Sequence, residues 1–521
     1  MANRNLEAAC TYHESTKHSY WSVRSSTHYL DWGNRPLPFK IYRTLPAMPL
    51  PLDRTGTAPP RGMAALSAIS QTFVVPAGEA AVPDLKALAQ ILYFSAGITK
   101  KKTYPGEEIF FRAASCTGAL YEVELYVVCG DLPDLEPGVY HFGPADFALR
   151  RLRSGDYREV LVRATAGEPA VAHAPATIVC TCTYWRNAWK YQARTYRHFG
   201  WDNGTMLANT LAMCSALRLP TRVVCGFVDS AVNRLVDVDP GREVAFSLVP
   251  VGQVAASPPE YHQKIAPLAW ETVPLSRIEV EYPAMQEMHQ ESSLGGEEEV
   301  ALWRGLTALT DRPWPIPRAA QCVPLSACNN DELPADTIEQ VVQRRGSTRQ
   351  FAREPISLAQ LSTLLDRSTR GIPADFLQPF GEQLNELYLI VNAVEGLKPG
   401  AYVFHRRKRM LECLKEGDFR NEACYLGLEQ ELPGDASVAV FYLADLQAIL
   451  ARFGNRGYRA VQLEAGILGG KVYLAAYAQR LGASGLTFFD DDVTRFFSPH
   501  AQGKSAIFLM AVGRSAKGGR Q

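Results

Sequence analysis

Lys190-Tyr191-Gln192-Ala193-Arg194-Thr195-Tyr196-Arg197 returns 262 residues later as Arg452-Phe453-Gly454-Asn455-Arg456-Gly457-Tyr458-Arg459, with an arginine, a tyrosine and an arginine at the same three places. Upstream of it, Glu124-Leu125-Tyr126 opens an apolar run that turns at Pro137-Gly138 into Val139-Tyr140-His141-Phe142. At the same offset, Glu386-Leu387-Tyr388 opens a run that turns at Pro399-Gly400 into Ala401-Tyr402-Val403-Phe404. The two tyrosines stand 14 residues apart in both stretches, 126 to 140 and 388 to 402. Downstream, each motif leads into a long helical pattern, Gly204 to Leu219 and Gly466 to Leu481, and then a strand-like segment ending at Val251-Gly252 and Val512-Gly513. Matches in one order at nearly one offset read as two copies of one fold. Its elements are a hairpin, an apolar strand, a long amphipathic helix and another apolar strand, which predicts α+β layers and not regular βαβ units.

The chain divides into a first copy at 1–255, a connector at 256–335 and a second copy at 336–521. The stretch from Val254 to Asp336 is proline-rich (Pro258-Pro259, Pro313, Pro315, Pro317) and holds the acidic run Glu297-Glu298-Glu299. It reads as an extended connector over the surface, with one short helix around Val300 to Leu309. A proline-rich insertion from Pro36 to Pro60 is expected to pack on the outside of the first copy and not to act as a lid.

Over 521 residues, 54 Lys and Arg balance 54 Asp and Glu. Nucleic acid and anionic membrane need a sustained basic surface, so neither is expected as a partner. Apolar runs such as Ala506 to Val512 are strand-sized, well below the roughly 18 residues of a bilayer span. The start, Met1 to Tyr12, lacks an apolar core with a cleavage site, and a cytoplasmic protein is expected. Eleven cysteines without C-x-x-C pairs read as buried free thiols, Cys180 and Cys182 sharing one face of a strand, and no metal site is expected. There is no G-x-G-x-x-G after a strand, no H-E-x-x-H and no G-x-S-x-G. The Gly503-Lys504-Ser505 ending of a phosphate loop fails because Ser498 stands where its first glycine belongs.

Arg344-Arg345-Gly346-Ser347-Thr348-Arg349 sets guanidiniums among hydroxyls at the head of the second copy, a composition suited to a phosphate dianion or to a solvated basic turn. Arg345-x-Ser347-x-Arg349 opening a domain that Val512-Gly513-Arg514 closes resembles the FMN-phosphate grip of the nitroreductase superfamily. Three segments narrow the likeness to the SagB-type (ThcOx-like) dehydrogenases: Arg112-Ala113-Ala114-Ser115-Cys116-Thr117-Gly118-Ala119-Leu120-Tyr121, the Lys190 to Arg197 motif, and Gly482-Ala483-Ser484-Gly485-Leu486-Thr487-Phe488-Phe489-Asp490-Asp491. The resemblance implies two nitroreductase-like domains in one chain, a monomer that is its own pseudo-dimer, with FMN between them. It assigns FMN contacts to Arg345, Ser347, Arg349, Arg514, Arg112, Ser115, Thr117, Gly118, Gly485, Leu486 and Thr487. Cys116 stands where the family carries a serine, so its backbone and not its side chain is expected to serve.

The copies differ in complementary ways. Copy two keeps the phosphate residues, while copy one ends Val251-Gly252-Gln253 and starts with only the distant Arg24-Ser25-Ser26. Copy one keeps the Arg112 to Tyr121 loop and the Lys190-Tyr191 pair, while copy two has Ala374-Asp375-Phe376-Leu377-Gln378-Pro379-Phe380 and Arg452-Phe453. One composite site, hence one FMN per chain, follows. The resemblance further implies oxidation of a heterocyclic, azoline-like or peptide-derived substrate. Two hydrogens must leave, one as hydride and one to a base. Tyr191 is assigned as that base with Lys190 lowering its phenol pKa by charge, or the two in reversed order. Trp185, Trp189, Tyr196 and Trp201 are candidates for lining a substrate pocket or for core. Two other functions share these features: an NAD(P)H-dependent nitro or quinone reductase, and a non-catalytic partner subunit of a peptide-modifying complex.

Overall fold

A computed structural model describes residues 2–51, 62–76, 79–104, 107–261, 264–305, 321–377 and 383–516. The first half contributes the strands β1 (Met48–Pro49), β2 (Ile98–Tyr104), β3 (Glu107–Arg112), β4 (Val123–Cys129), β5 (Gly138–Gly143), β6 (Ala148–Ser154), β7 (Ala176–Thr183) and β8 (Glu243–Val251). The second contributes β9 (Cys322–Pro324), β10 (Ile356–Ser357), β11 (Glu386–Val391), β12 (Val394–Glu395), β13 (Gly400–His405), β14 (Met410–Glu416), β15 (Val438–Ala444), β16 (Gly482–Leu486) and β17 (Ser505–Gly513). Two large antiparallel sheets result, ordered β1-β6-β5-β4-β7-β8 and β16-β17-β15-β11-β13-β14-β9, beside the two-stranded pairs β2-β3 and β10-β12, and the run β6-β5-β4-β7-β8 has the same connectivity as β14-β13-β11-β15-β17. The correspondence extends to register. Tyr126 pairs with His141 as Tyr388 pairs with Val403. Register shifts fall between Val139 and Tyr140 and between Ala401 and Tyr402, and again between Cys180 and Thr181 and between Tyr442 and Leu443. A β-bulge fixes how a strand bends, so bulges at matching positions give both sheets the same bend.

The helices Thr195–Ala216 and Arg456–Ala478 cross between the sheets. Each begins at its Arg-x-Tyr-Arg motif, earlier than the apolar pattern suggested. The expected amphipathic character is corrected: Thr195–Ser215 and all of Arg456–Ala478 are buried, because each helix has protein on every side. The crossing is closest at glycine. A Cβ on Gly204 would lie 2.6 Å from the backbone of Gly466, and one on Gly470 would lie 2.6 Å from Ala208.

Carboxylates clamp the halves on either side of that crossing. Asp490 takes Arg197 at 2.6 Å and Arg194 at 3.1 Å, while Asp229 takes Arg456 at 2.5 Å and Arg459 at 2.7 Å. Each half therefore supplies an aspartate to the arginine pair of the other. Burial pushes both carboxyls up, but the facing guanidiniums win and hold Asp229 and Asp490 at about 2.

The described part of the insertion packs as expected. Met48–Pro49 pairs with the edge strand β6, a place that tolerates proline, and the Lys40 ammonium is buried between Glu243 (2.6 Å) and the Tyr126 hydroxyl (2.8 Å). Residues 52–60 lie outside the described residues. The single short helix expected in the connector is corrected: two cover Pro283–Glu291 and Glu297–Arg304, the acidic run forming the first turn of the second, where carboxylates favour the helix dipole. The remainder of the helix expected to Leu309, with Pro313, Pro315 and Pro317, lies outside the described residues. Cys322–Pro324 extends the second sheet as its edge strand. No helix among the described residues is long and apolar enough to cross a membrane.

Candidate functional site

A cavity of about 670 Å³ opens at the seam, lined from both halves. The first half brings Arg112, Ser115, Thr117, Gly118, Lys190 and Tyr191; the second brings Arg345, Ser347, Arg349, Gly485, Leu486 and Thr487. Of the residues that the sequence nominates, Arg514 is not among the lining: its Nε donates to the Pro355 carbonyl at 3.0 Å. Of the four candidate aromatics, Trp201 lines the cavity. Trp185 donates to Ser276, Trp189 to the Asp31 carbonyl, and the Tyr196 hydroxyl meets Ser292 and Arg459, which places those three in the core.

The loop after β3 is shaped by left-handed backbone at Gly118 (φ 64°), Ala119 (φ 53°) and Tyr121 (φ 55°). Position 118 requires glycine twice over, since a Cβ there would also meet the Tyr191 hydroxyl at 2.8 Å. The Arg112 guanidinium donates to the carbonyls of Val123 and Pro38 and stacks on Tyr121, so its charge is held inside the loop. Arg345 crosses from the second half to donate Nε to Ala113 O (3.0 Å) and Nη2 to Arg112 O (3.1 Å). The two halves are thereby tied at the site itself.

Two residues absent from the sequence-derived set organise the loop. Asp202, inside the first long helix, accepts from Thr117 N (2.9 Å), Thr117 Oγ1 (2.8 Å) and Cys116 Sγ (3.2 Å); Glu122 accepts from the same thiol at 3.3 Å. Burial, and then the Asp202 charge, pushes Glu122 well above the usual carboxylate range, and burial raises Asp202 as well. Two carboxyls this close in a dry site hold one proton between them. Burial and both carboxylates also raise the Cys116 thiol, so it is a hydrogen-bond donor and not a reactive thiolate. Cys116, Glu122 and Asp202 are the described group whose donor atoms come within 4.8 Å, a cluster that the expectation of no metal site did not foresee; its atoms are engaged with one another and with the loop. The available signal for Asp202 was that it is the one acidic residue of its helix.

The Lys190-Tyr191 pair ends the helix Tyr184–Tyr191, with Lys190 Nζ 5.3 Å from the centre of the Tyr191 ring and the ring edge-on to His198. The expected lowering of the phenol pKa is corrected. Burial, followed by Asp202 and Cys116, raises Tyr191 instead, while burial, then Arg349 and Arg35, lowers Lys190. An ammonium over a ring face stabilises the cation, whereas stabilising phenolate requires it beside the oxygen.

On the other wall the Tyr473 hydroxyl accepts from Gly485 N at 2.7 Å and faces Ser347 Oγ at 3.1 Å, under the Arg345 guanidinium. The residues present fit an FMN. Thr487 Oγ1 is buried without a hydrogen-bond partner, and the Arg349 guanidinium has no ion-pair partner among the described residues.

Comparisons with known proteins bear on the fold. The nitroreductase family model matches residues 342–514. This stretch is a nitroreductase-family domain. A solved Anabaena variabilis structure, provisionally named a nitroreductase, superimposes with a TM-score of 0.75 at 26% identity, covering 98% of this chain and 99% of that one. The nitroreductase-like α+β fold therefore runs through both halves. A Methanocaldococcus jannaschii protein, also provisionally named a nitroreductase, is 27% identical over 32% of this chain and 80% of its own length. The trifolitoxin-processing protein TfxB of Rhizobium leguminosarum is 27% identical over 30% of this chain, which spans only 43% of that protein.

The pseudo-symmetric position on the other side of the nitroreductase-like pair is filled. Counted back from the matching aspartates 490 and 229, the segment 224–226 stands in the register of 485–487. There Asp375 accepts from the amides of Cys225 (2.9 Å) and Gly226 (2.8 Å). The Trp303 indole, from the connector, sits against Gly226 and donates to the carbonyl of Phe453, the counterpart of Tyr191. Gln378, Pro379 and Phe380 of that segment lie outside the described residues.

Proposed function

We propose that the chain is a SagB-type, FMN-dependent oxidoreductase built by tandem duplication, and that it removes two hydrogens from a peptide-derived or heterocyclic, azoline-like substrate at one composite site. The observation that carries this reading is the single cavity in which the Lys190-Tyr191 pair and the 112–121 loop of one half face Arg345 to Arg349 and Gly485 to Thr487 of the other. Arg345, Ser347 and Arg349 would hold the cofactor's anionic and carbonyl groups, with the backbone around Gly118 and the Thr487 hydroxyl completing its hydrogen bonds. Bound there, the flavin supplies a two-electron hydride acceptor. Asp375 and Trp303 in the counterpart position support one flavin per chain.

The proton roles follow the reversed order that the sequence left open. A lysine whose pKa is lowered offers more neutral amine near neutral pH, so Lys190 Nζ accepts the proton that leaves the substrate. A phenol whose pKa is raised stays protonated, so Tyr191 donates a hydrogen bond to the substrate heteroatom and does not abstract. Asp202 and Glu122 keep the loop beneath Tyr191 in place. The likeness to a trifolitoxin-processing protein supports a peptide-derived substrate.

The test compares FMN-loaded wild type, Lys190→Met and Tyr191→Phe on an azoline-containing model peptide and on NADPH with a nitroaromatic. A missing general base costs about 10²–10⁴-fold in turnover, so Lys190→Met should retain flavin and lose peptide oxidation by that factor, with a smaller loss for Tyr191→Phe. Unchanged turnover in both variants, with rapid NADPH-dependent reduction, would establish the reductase function instead.

A further inference from the structure

We propose that Lys100 and Lys102, on the first half's β2–β3 hairpin, complete the phosphate-binding subsite whose other members come from the second half. This rests on the FMN reading of the cavity and adds residues that no motif pointed to. The need for them is visible in what the expected grip lacks. Arg514 lies away from the lining, on Pro355 O. Arg345 gives Nε and Nη2 to main-chain carbonyls. Arg344, also at the rim, is paired with Asp336 at 2.7 Å and with the Tyr477 carbonyl.

The hairpin places cations at this point. Lys100 pairs across the strands with Phe111, the residue before Arg112, whose carbonyl takes Arg345. Lys100 and Lys102 both line the cavity, while Lys101, pointing to the other face of the strand, is paired with Glu108 at 2.5 Å. Lys102 also stacks its ammonium on Phe111, 5.7 Å from the ring centre. Neither Lys100 nor Lys102 has a carboxylate partner among the described residues, and the acid in the cavity lining, Asp202, is engaged with Thr117 and Cys116. Two ammoniums without a carboxylate partner among the described residues, in the same cavity as Arg345 and Ser347, suit a phosphate dianion, to which lysine binds as a point charge. The phosphate would then be bound from both halves.

The experiment titrates cofactor-free full-length protein with FMN and with riboflavin, which lacks the phosphate, and follows quenching of flavin fluorescence. Lys100→Ala and Lys102→Ala should each raise the FMN dissociation constant roughly tenfold, leave riboflavin unchanged and flatten the salt dependence of FMN binding. Lys100→Arg should restore most of the loss. FMN affinity unchanged in the double variant, a parallel loss for both flavins, or a loss in Arg514→Ala alone would overturn the proposal. Failure of the wild type to bind either flavin would instead overturn the FMN reading on which it rests.

Discussion

Replacing Gly204 with alanine tests whether the two halves meet as closely as the helix crossing shows. The new Cβ would stand 2.6 Å from the Cα and carbonyl carbon of Gly466 and from the Ile467 amide, all backbone of the other half with no side chain to swing aside. Carbon atoms settle about 3.5–4.0 Å apart, so the helices must part by roughly 1 Å at the crossing. Overpacking of this kind costs about 1–3 kcal/mol, and a rigid backbone obstacle favours the upper end. Helix propensity alone acts in the opposite direction, by about 1 kcal/mol in favour of alanine. The expected net effect is a loss of about 1–2 kcal/mol in urea unfolding, accompanied by weaker FMN binding because the cavity spans the same seam. Gly466→Ala meets the carbonyls of Trp201 (2.5 Å) and Gly200 (2.6 Å) and should behave alike. A Gly204→Ala protein that is more stable than wild type, with unchanged flavin affinity, would refute the close crossing.

The inter-half clamps predict an acid-sensitive interface. Asp229 and Asp490 titrate at about 2 in the folded chain against an ordinary 3.8, so their stabilisation is present above pH 4 and lost as pH falls from about 4 to 2. At about 1.4 kcal/mol per pKa unit each contributes roughly 2 kcal/mol, and urea unfolding free energy that stays flat between pH 5 and pH 2 would contradict this. Asp490→Asn leaves Arg194 and Arg197 buried without a counter-charge and should cost about 3–5 kcal/mol, with a smaller remaining acid dependence; a neutral substitution would show that the pair stabilises nothing.

The repeat was legible because strand pairing and bulges obey local spacing: the tyrosines of the hairpins, 14 residues apart in both copies, pair in the same register. That both halves line one cavity was legible in a different way, because each copy kept residues that the other lost. Meaning that depends on long-range approach was hidden. Arg194, Tyr196 and Arg197 flank the Lys190-Tyr191 pair and looked like part of its chemistry, yet they reach Asp490 and Arg459 in the other half. Asp202 and Glu122 stand 80 residues apart and become a proton-sharing pair only once the loop folds onto the helix. The direction of the Tyr191 shift could not be read from an adjacent lysine, because it depends on burial and on Asp202. Trp303 lay in a stretch that composition alone marked as connector, although its indole sits against Gly226 at the position pseudo-symmetric to the cavity.

Flavin stoichiometry tests the composite site most directly. The holoprotein, reconstituted with excess FMN and freed of unbound cofactor, should show one FMN per chain by absorbance against protein concentration. Two per chain would contradict a counterpart position filled by Asp375 and Trp303, and with it the division of one site between two halves.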